Sequence, residues 1–380
     1  VKILALFLLT ALLQAANAQT VSNAPAQDLP LIPEDAKLLN ESSLWQHTLS
    51  LRTGVGYQDN VLLSPAGAQG SAFLASGLDF PLSRLPLDRW GIDVNVSGDD
   101  QRYLQNVIPD GTDFWFADIN AKRFLGDHWQ AGLEATESYL DEVDYVDTLI
   151  GPAAVEIQGN ALKLKPFVRR EIGSNGWAEL DFPSAREIFD GPLDDVWKFG
   201  PQVQVGVTVD QQRDFALSYQ VQRFDHDSWP ALSAIGAPIG TRNLSLVEQR
   251  AEVRWREFWG QDHHWSTDTK FTFAFDQDNG GQFFNFNEYS LSERLHYQVR
   301  AWDFSIALRG SYLDYPTQRT GLTSGPTLNE ILLHATLHAE HRLTSWLKLY
   351  AEYNYERVLS NLSGIRYQAN TVTMGLIWEF

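Results

Sequence analysis

No cysteine occurs among the 380 residues, which excludes disulfides, thiolate metal centres and cysteine nucleophiles together. Basic residues are scarce: 29 Lys and Arg against 48 Asp and Glu give a formal charge of −19. A chain so balanced is not expected to partner nucleic acid, because counterion release from phosphates needs clustered Lys and Arg. Long hydrophobic runs are missing as well. Beyond the first residues nothing approaches the ~20 apolar residues a spanning helix needs, so only a closed sheet could cross a membrane.

The start, "VKILALFLLTALLQAANAQT", sets Lys2 before an apolar run from Ile3 to Leu13 and then Ala16-Asn17-Ala18, a small-x-small pattern. It reads as a secretory signal over residues 1–18, with a short membrane anchor as the weaker alternative. Residues 19–44 are polar and punctuated by proline and read as a periplasmic lead-in. No linker or charge block divides residues 45–380, so one large unit is expected there.

What fills that unit is alternation. Ile331, Leu333, Ala335, Leu337 and Ala339 share one parity with His334, Thr336, His338, Glu340 and Arg342 on the other. Val203, Val205, Val207 and Val209 alternate with Gln202, Gln204, Gly206 and Thr208 in the same way. A two-residue period is that of a β-strand with unlike faces. Such segments begin near Trp45, Ser71, Trp90, Asp113, Trp129, Ala161, Trp177, Trp197, Phe215, Leu244, Trp265, Tyr289, Asp303, Leu328, Trp346 and Arg366, about sixteen in all. Pro166, Pro183 and Pro201 cannot donate to a ladder and mark bulges or strand ends, which leaves fourteen or eighteen as alternatives.

The connections alternate in size. Gly126-Asp127, Ser174 to Gly176 and Thr344-Ser345 are tight, whereas "TLIGPAAVEIQGN", "PALSAIGAPIGTRN" and "TQRTGLTSGPT" are long. Trp90, Trp129, Trp177, Trp265, Trp302 and Trp346 sit beside tight turns and Trp378 near the last residue, as an aromatic girdle at one membrane interface would. The fold class expected is all-β, a transmembrane antiparallel barrel.

The final run Val372, Met374, Leu376, Trp378, Phe380 resembles the C-terminal signal by which outer-membrane barrels are recognised for assembly. Gly56-Tyr57-Gln58-Asp59-Asn60-Val61 resembles strand openings in some Gram-negative barrels of unknown or export-associated role. Together they identify the chain with Gram-negative outer-membrane β-barrels of porin-like type, without assigning a subfamily. That resemblance implies residence in the outer membrane, contact with its lipid and lipopolysaccharide, and delivery by the barrel assembly machinery. Leu376, Trp378 and Phe380 are the residues that would carry the assembly signal.

If the apolar parity faces lipid, the other lines the lumen. It then holds Arg250, Arg254, Arg256, Lys270, Arg294, His296, Arg300 and Arg309, a basic wall on neighbouring strands. Asp79, Asp93, Asp118 and Glu134 would face it from about half a barrel away, with Lys122, Lys163 and Lys165 among them. Opposed walls favour charged or dipolar hydrophilic solutes; a filled interior held by salt-bridge ladders is the competing reading.

No enzymatic constellation emerges. His334 and His338 share a parity without a nucleophile and base to accompany them. "DQDNGG" from Asp276 has alternate oxygen ligands but lacks the downstream glutamate of a calcium loop, so a solvated turn is expected, with neither metal nor cofactor. Two functions remain: passive diffusion of small hydrophilic solutes, or a non-conducting barrel in the export or assembly of surface structures.

Overall fold

The computed structural model describes residues 45–84, 89–105, 110–148, 151–191, 193–210, 212–260, 264–320 and 325–380. The expected leader and lead-in, residues 1–44, lie outside them. Strand β1 is Trp45–His47 continued by Ser50–Gln58; β2 is Ser71–Arg84, β3 Trp90–Tyr103, β4 Gly111–Phe124, β5 Trp129–Thr148 and β6 Gly151–Ile172. Strand β7 is Gly176–Asp181 continued by Ser184–Asp190, and β8 is Val196–Phe199 continued by Gln202–Asp210. Then come β9 Arg213–Leu232, β10 Pro238–Trp259, β11 Trp265–Asp278, β12 Phe286–Val299, β13 Trp302–Arg319, β14 Thr327–Arg342, β15 Leu347–Ser360 and β16 Tyr367–Glu379.

Each strand pairs antiparallel with its sequence neighbours, and β16 pairs with β1 from Thr371↔Gln58 to Glu379↔Ser50. The sheet is therefore a closed barrel of sixteen strands, and closure removes the unpaired edges that an open sheet would expose. The join is tight because Gly54 and Gly375 face each other in register. A Cβ on Gly375 would collide with the Thr53 carbonyl, and one on Gly54 with the Tyr350 hydroxyl.

None of the three prolines changes the number of strands: Pro166 lies within β6, opposite Leu133 in unbroken register and not at the bulge or strand end expected of it, whereas Pro183 and Pro201 fall at the breaks in β7 and β8. The Pro166, Pro183 and Pro201 carbonyls accept from Phe182 N at 3.1 Å, Gly200 N at 3.2 Å and Val221 N at 3.0 Å respectively. Each proline thus accepts a ladder bond from the next strand and returns none. The breaks in β7 and β8 fall side by side along this seam, so the flanking pairing resumes in phase.

Parity settles the two faces. Leu51, Val55 and Tyr57 on β1 are exposed while Arg52, Gly54 and Gly56 between them are not. Leu74, Ile119, Leu133, Leu164, Val205, Phe271, Leu308, Leu349 and Met374 stand on the same outer surface, each exposed. A continuous apolar exterior of this size has no place in water and matches the lipid belt of a transmembrane barrel.

Trp90, Trp129, Trp265 and Trp302 point outward at one rim and are each more than two-fifths exposed, and Trp378 shares their face opposite Leu51. Trp346 is exposed in the turn before β15. Trp177 departs from the expected girdle. Its partner in register is Glu171, and the Arg169 guanidinium lies 4.2 Å over its ring. Both belong to the inward parity, so this indole lines the lumen. Gly206 opposite it supplies the room, since a Cβ there would meet the ring.

Two of the long links are mostly strand. Pairing of β5 with β6 runs out to Thr148↔Gly151, and pairing of β9 with β10 reaches Leu232↔Pro238. The strands continue past the lipid belt as hairpins, which periodicity alone did not separate from loops because small and polar residues dilute the apolar face.

Candidate permeation path

The lumen is walled by the parity opposite the lipid belt. Arg250, Arg254, Arg256, Lys270, Arg294 and Arg309 all lie on it, along β10 to β13. Arg300 does not: it sits after β12 in the tight turn to β13, exposed, with φ of +51°. Periodicity carried the inward parity one residue too far, past the point where the chain reverses.

The basic residues are not alone on that wall. Arg250 makes a two-pronged bond to Glu248, with nitrogen to oxygen distances of 3.0 and 2.8 Å. Arg254 grips Asp268 with Nε at 2.9 Å, and Arg256 approaches the same carboxylate at 3.6 Å. Lys270 lies 3.6 Å from Glu252 and Arg309 lies 3.4 Å from Glu288. Arg294 stands opposite Asp268 in the register of β11 with β12. The expected basic wall is a mixed ladder in which each cation has a carboxylate beside it.

The acidic side is organised in the same way. Arg52, which the sequence reading passed over, reaches Asp79 at 3.3 Å and Asp99 at 2.8 Å. Its inward parity was legible, since Leu51, Thr53 and Val55 flank it as a lipid-facing set. Asp93 accepts from Ser83 Oγ at 2.8 Å with Lys122 at 3.9 Å, Asp118 accepts from Thr136 Oγ1 at 2.9 Å, and Glu134 pairs with Lys165 at 2.6 Å. Neighbouring opposite charges cancel over a few ångströms, so the field across the lumen is weaker than two unpaired walls would give.

The end of the lumen away from the Trp rim is drawn in. Val196, Phe224, Leu244 and Leu246 are buried there with Trp229 and with Phe284 from the link between β11 and β12. Phe286, Leu313, Tyr315 and Leu328 form a second buried group with Ile365. The short turn Ser363–Ile365 between β15 and β16 also lies against β5 and β6. Those strands are not its wall neighbours, so this link crosses the mouth.

Other candidates resolve into structure. Asp278 of "DQDNGG" accepts from the amides of Gly280 at 2.8 Å, Gln282 at 2.9 Å and Phe284 at 2.7 Å, which makes its carboxylate the organiser of a turn. His338 is held by Glu352 at 3.0 Å and Glu340 at 3.1 Å, part of another wall ladder. Among the described residues no group of three metal-ligating side chains is assembled.

A closed sixteen-strand sheet with an apolar exterior, tryptophans at one rim and a charged interior is an outer-membrane β-barrel. No protein-family description and no curated relative matches the sequence. Among solved structures, OccAB3 of Acinetobacter baumannii is similar at 10% identity, over 88% of this chain and 99% of that one, with a TM-score of 0.45. OmpT of Vibrio cholerae, folded in vitro, is 12% identical over 88% and 97% of the two chains, TM-score 0.44. An anion-selective porin from Comamonas acidovorans is 11% identical over 88% and 99%, TM-score 0.44. Identities this low say nothing of substrate or selectivity.

Proposed function

We propose that this barrel is a passive channel for small hydrophilic solutes, narrowed at its outer mouth. The observation that carries the reading is the inner wall: at lipid height it is lined by hydrogen-bonded charges such as Arg52, Asp99, Glu134, Lys165, Arg254 and Asp268. A wall of that kind needs water or polar solutes facing it, because an apolar filling would leave the remaining polar capacity of these groups unmet. Barrels of about sixteen strands are also wide enough to hold an aqueous passage. The roles foreseen for the pore-lining residues become local ones: paired charges that orient dipolar solutes, not two opposed walls.

The two buried apolar groups and the crossing link at the mouth favour a second reading, a non-conducting barrel serving export or surface assembly. Recording from folded, purified protein in planar bilayers separates the two. Discrete conductance steps are expected; silence from protein that shows heat-modifiable migration would overturn the channel reading in favour of the second. In either case we propose the assembly machinery as the route of insertion and lipopolysaccharide as the outer-leaflet neighbour.

A further inference from the structure

The lipid face carries an uneven charge at the rim marked by tryptophan. Arg84 on β2, Trp90 on β3, Arg123 on β4, Trp129 on β5 and Arg170 on β6 all share the outward parity. Trp90 faces Arg123 directly, and Trp129 faces Arg170. Arg84 is opposite Ile92 and Arg123 opposite Ala131, two residues above the respective tryptophans. The tilt of barrel strands absorbs such offsets, so the five side chains form a level stripe that alternates arginine with tryptophan.

The packing presents the cations outward. The Arg123 guanidinium carbon lies 5.3 Å over the Trp90 ring and that of Arg170 lies 5.2 Å over Trp129. Both arginines are exposed, and among the described residues neither has a carboxylate partner. Arg84 donates from Nη1 to the Trp90 carbonyl at 3.2 Å. A guanidinium held over an indole face, with no carboxylate to engage its N–H groups, can offer its fork to two oxygens of a phosphate. Elsewhere on the same rim Trp259 and Trp265 have Glu257 as their charged outward neighbour, and Arg213 is tied to Asp210 with Nε at 2.9 Å.

We infer that this stripe from β2 to β6 is a binding site for the phosphate headgroup of anionic phospholipid in the adjoining leaflet. Arg123 and Arg170 supply the bidentate contacts, and Trp90 and Trp129 hold both the guanidiniums and the upper acyl region. The site fixes the rotational setting of the barrel against its lipid annulus, since among the described residues the outward-facing positions of β10 to β16 at this rim carry aromatic surface but no lysine or arginine; Arg300 lies in a turn and Arg342 on the inward parity. It is independent of whether the lumen conducts.

The test is native mass spectrometry of detergent-solubilised, folded barrel titrated with phosphatidylglycerol or phosphatidylcholine. The parent should retain phosphatidylglycerol in preference to phosphatidylcholine. Arg123→Gln with Arg170→Gln should weaken that retention about tenfold or more, as expected for lost charge-assisted bonds. Arg123→Lys with Arg170→Lys should fall between, keeping charge but losing the fork. Arg213→Gln, which removes a rim charge already engaged by Asp210, should match the parent. Equal retention of both lipids by the parent, unchanged retention in the double glutamine variant, or an equal loss in Arg213→Gln would overturn the site. Heat-modifiable migration confirms that each variant is folded.

Discussion

Trp378 stands opposite Leu51 in the register that joins the last strand to the first, and two residues on Phe380 exchanges backbone hydrogen bonds with Leu49 at 2.9 and 3.1 Å. The aromatic end of β16 is therefore part of the seam that closes the barrel. Its other neighbour across the ladder is Leu347 at the start of β15.

Changing Trp378 and Phe380 to alanine should lower the amount of folded barrel in the outer membrane several-fold while leaving synthesis unaffected. Fractionation and heat-modifiable gel migration of variant and parent provide the comparison. Equal yields would mean that these aromatics serve lipid contact only.

Gly375→Val should be worse than any lipid-facing substitution on the same strand. The added side chain meets the Thr53 carbonyl, the Gly54 backbone and the Tyr350 ring together. Overpacking of this kind costs about 1–3 kcal/mol even where neighbours can move, and here two of the three obstacles are backbone. Urea unfolding in detergent micelles should show the lowered midpoint, with Met374→Leu close to the parent.

Asp268→Asn should shift ion selectivity toward anions. It leaves Arg254 and Arg256 with no charged partner at that carboxylate and removes the residue that faces Arg294. A unit charge about 8 Å from a permeating ion in a water-like medium is worth roughly 0.5 kcal/mol, so the permeability ratio should move about twofold. Neutralising Arg254, Arg256, Arg294 and Arg309 together should move it the other way, because Asp268 and Glu288 are then the uncompensated groups. Reversal potentials under a salt gradient read both, with the larger effect at low ionic strength.

Acid should loosen the outer end of β9. At that height the outward residues are Arg223, Asp225 and Asp227, so the strand has left the lipid belt. His226 is buried inward, stacked on Trp229 with ring centroids 5.0 Å apart and 3° between planes. Burial pushes its pKa down from 6.5 to about 4, against the pull of Asp194 3.7 Å away. An unfolded segment binds the proton at higher pH than the folded one, so this contribution is complete above about 6.5 and is lost as pH falls toward 4. Two and a half pH units correspond to at most about 3 kcal/mol. His226→Phe keeps the stack without the titration, and its unfolding midpoint should vary less than the parent's across that window. Identical profiles would remove His226 as the cause.

The strand starts read from alternation correspond to all sixteen observed strands, because a lipid belt forces apolar side chains onto every second position of each one. Parity likewise places Arg250, Arg254 and Asp79 inward without any knowledge of neighbours. It misplaced Arg300, where the chain turns, and Trp177, whose inward position depends on Gly206 leaving space across the ladder. A single sequence holds the period of each strand, and that is a local property.

Apart from same-strand pairs such as Arg250 with Glu248, which charges meet is not local. Asp268 lies 14 residues from Arg254 along the chain, and Asp99 lies 47 from Arg52. Their encounters depend on the register between strands, on the stagger that closure imposes, and on links such as Ser363–Ile365 crossing to the far wall. The period of two by itself determined that this chain makes strands with one face for lipid and one for polar groups. Only the closed sheet decided that the inward charges neutralise one another in ladders, because register brings opposite charges within a few ångströms, where their attraction is strongest.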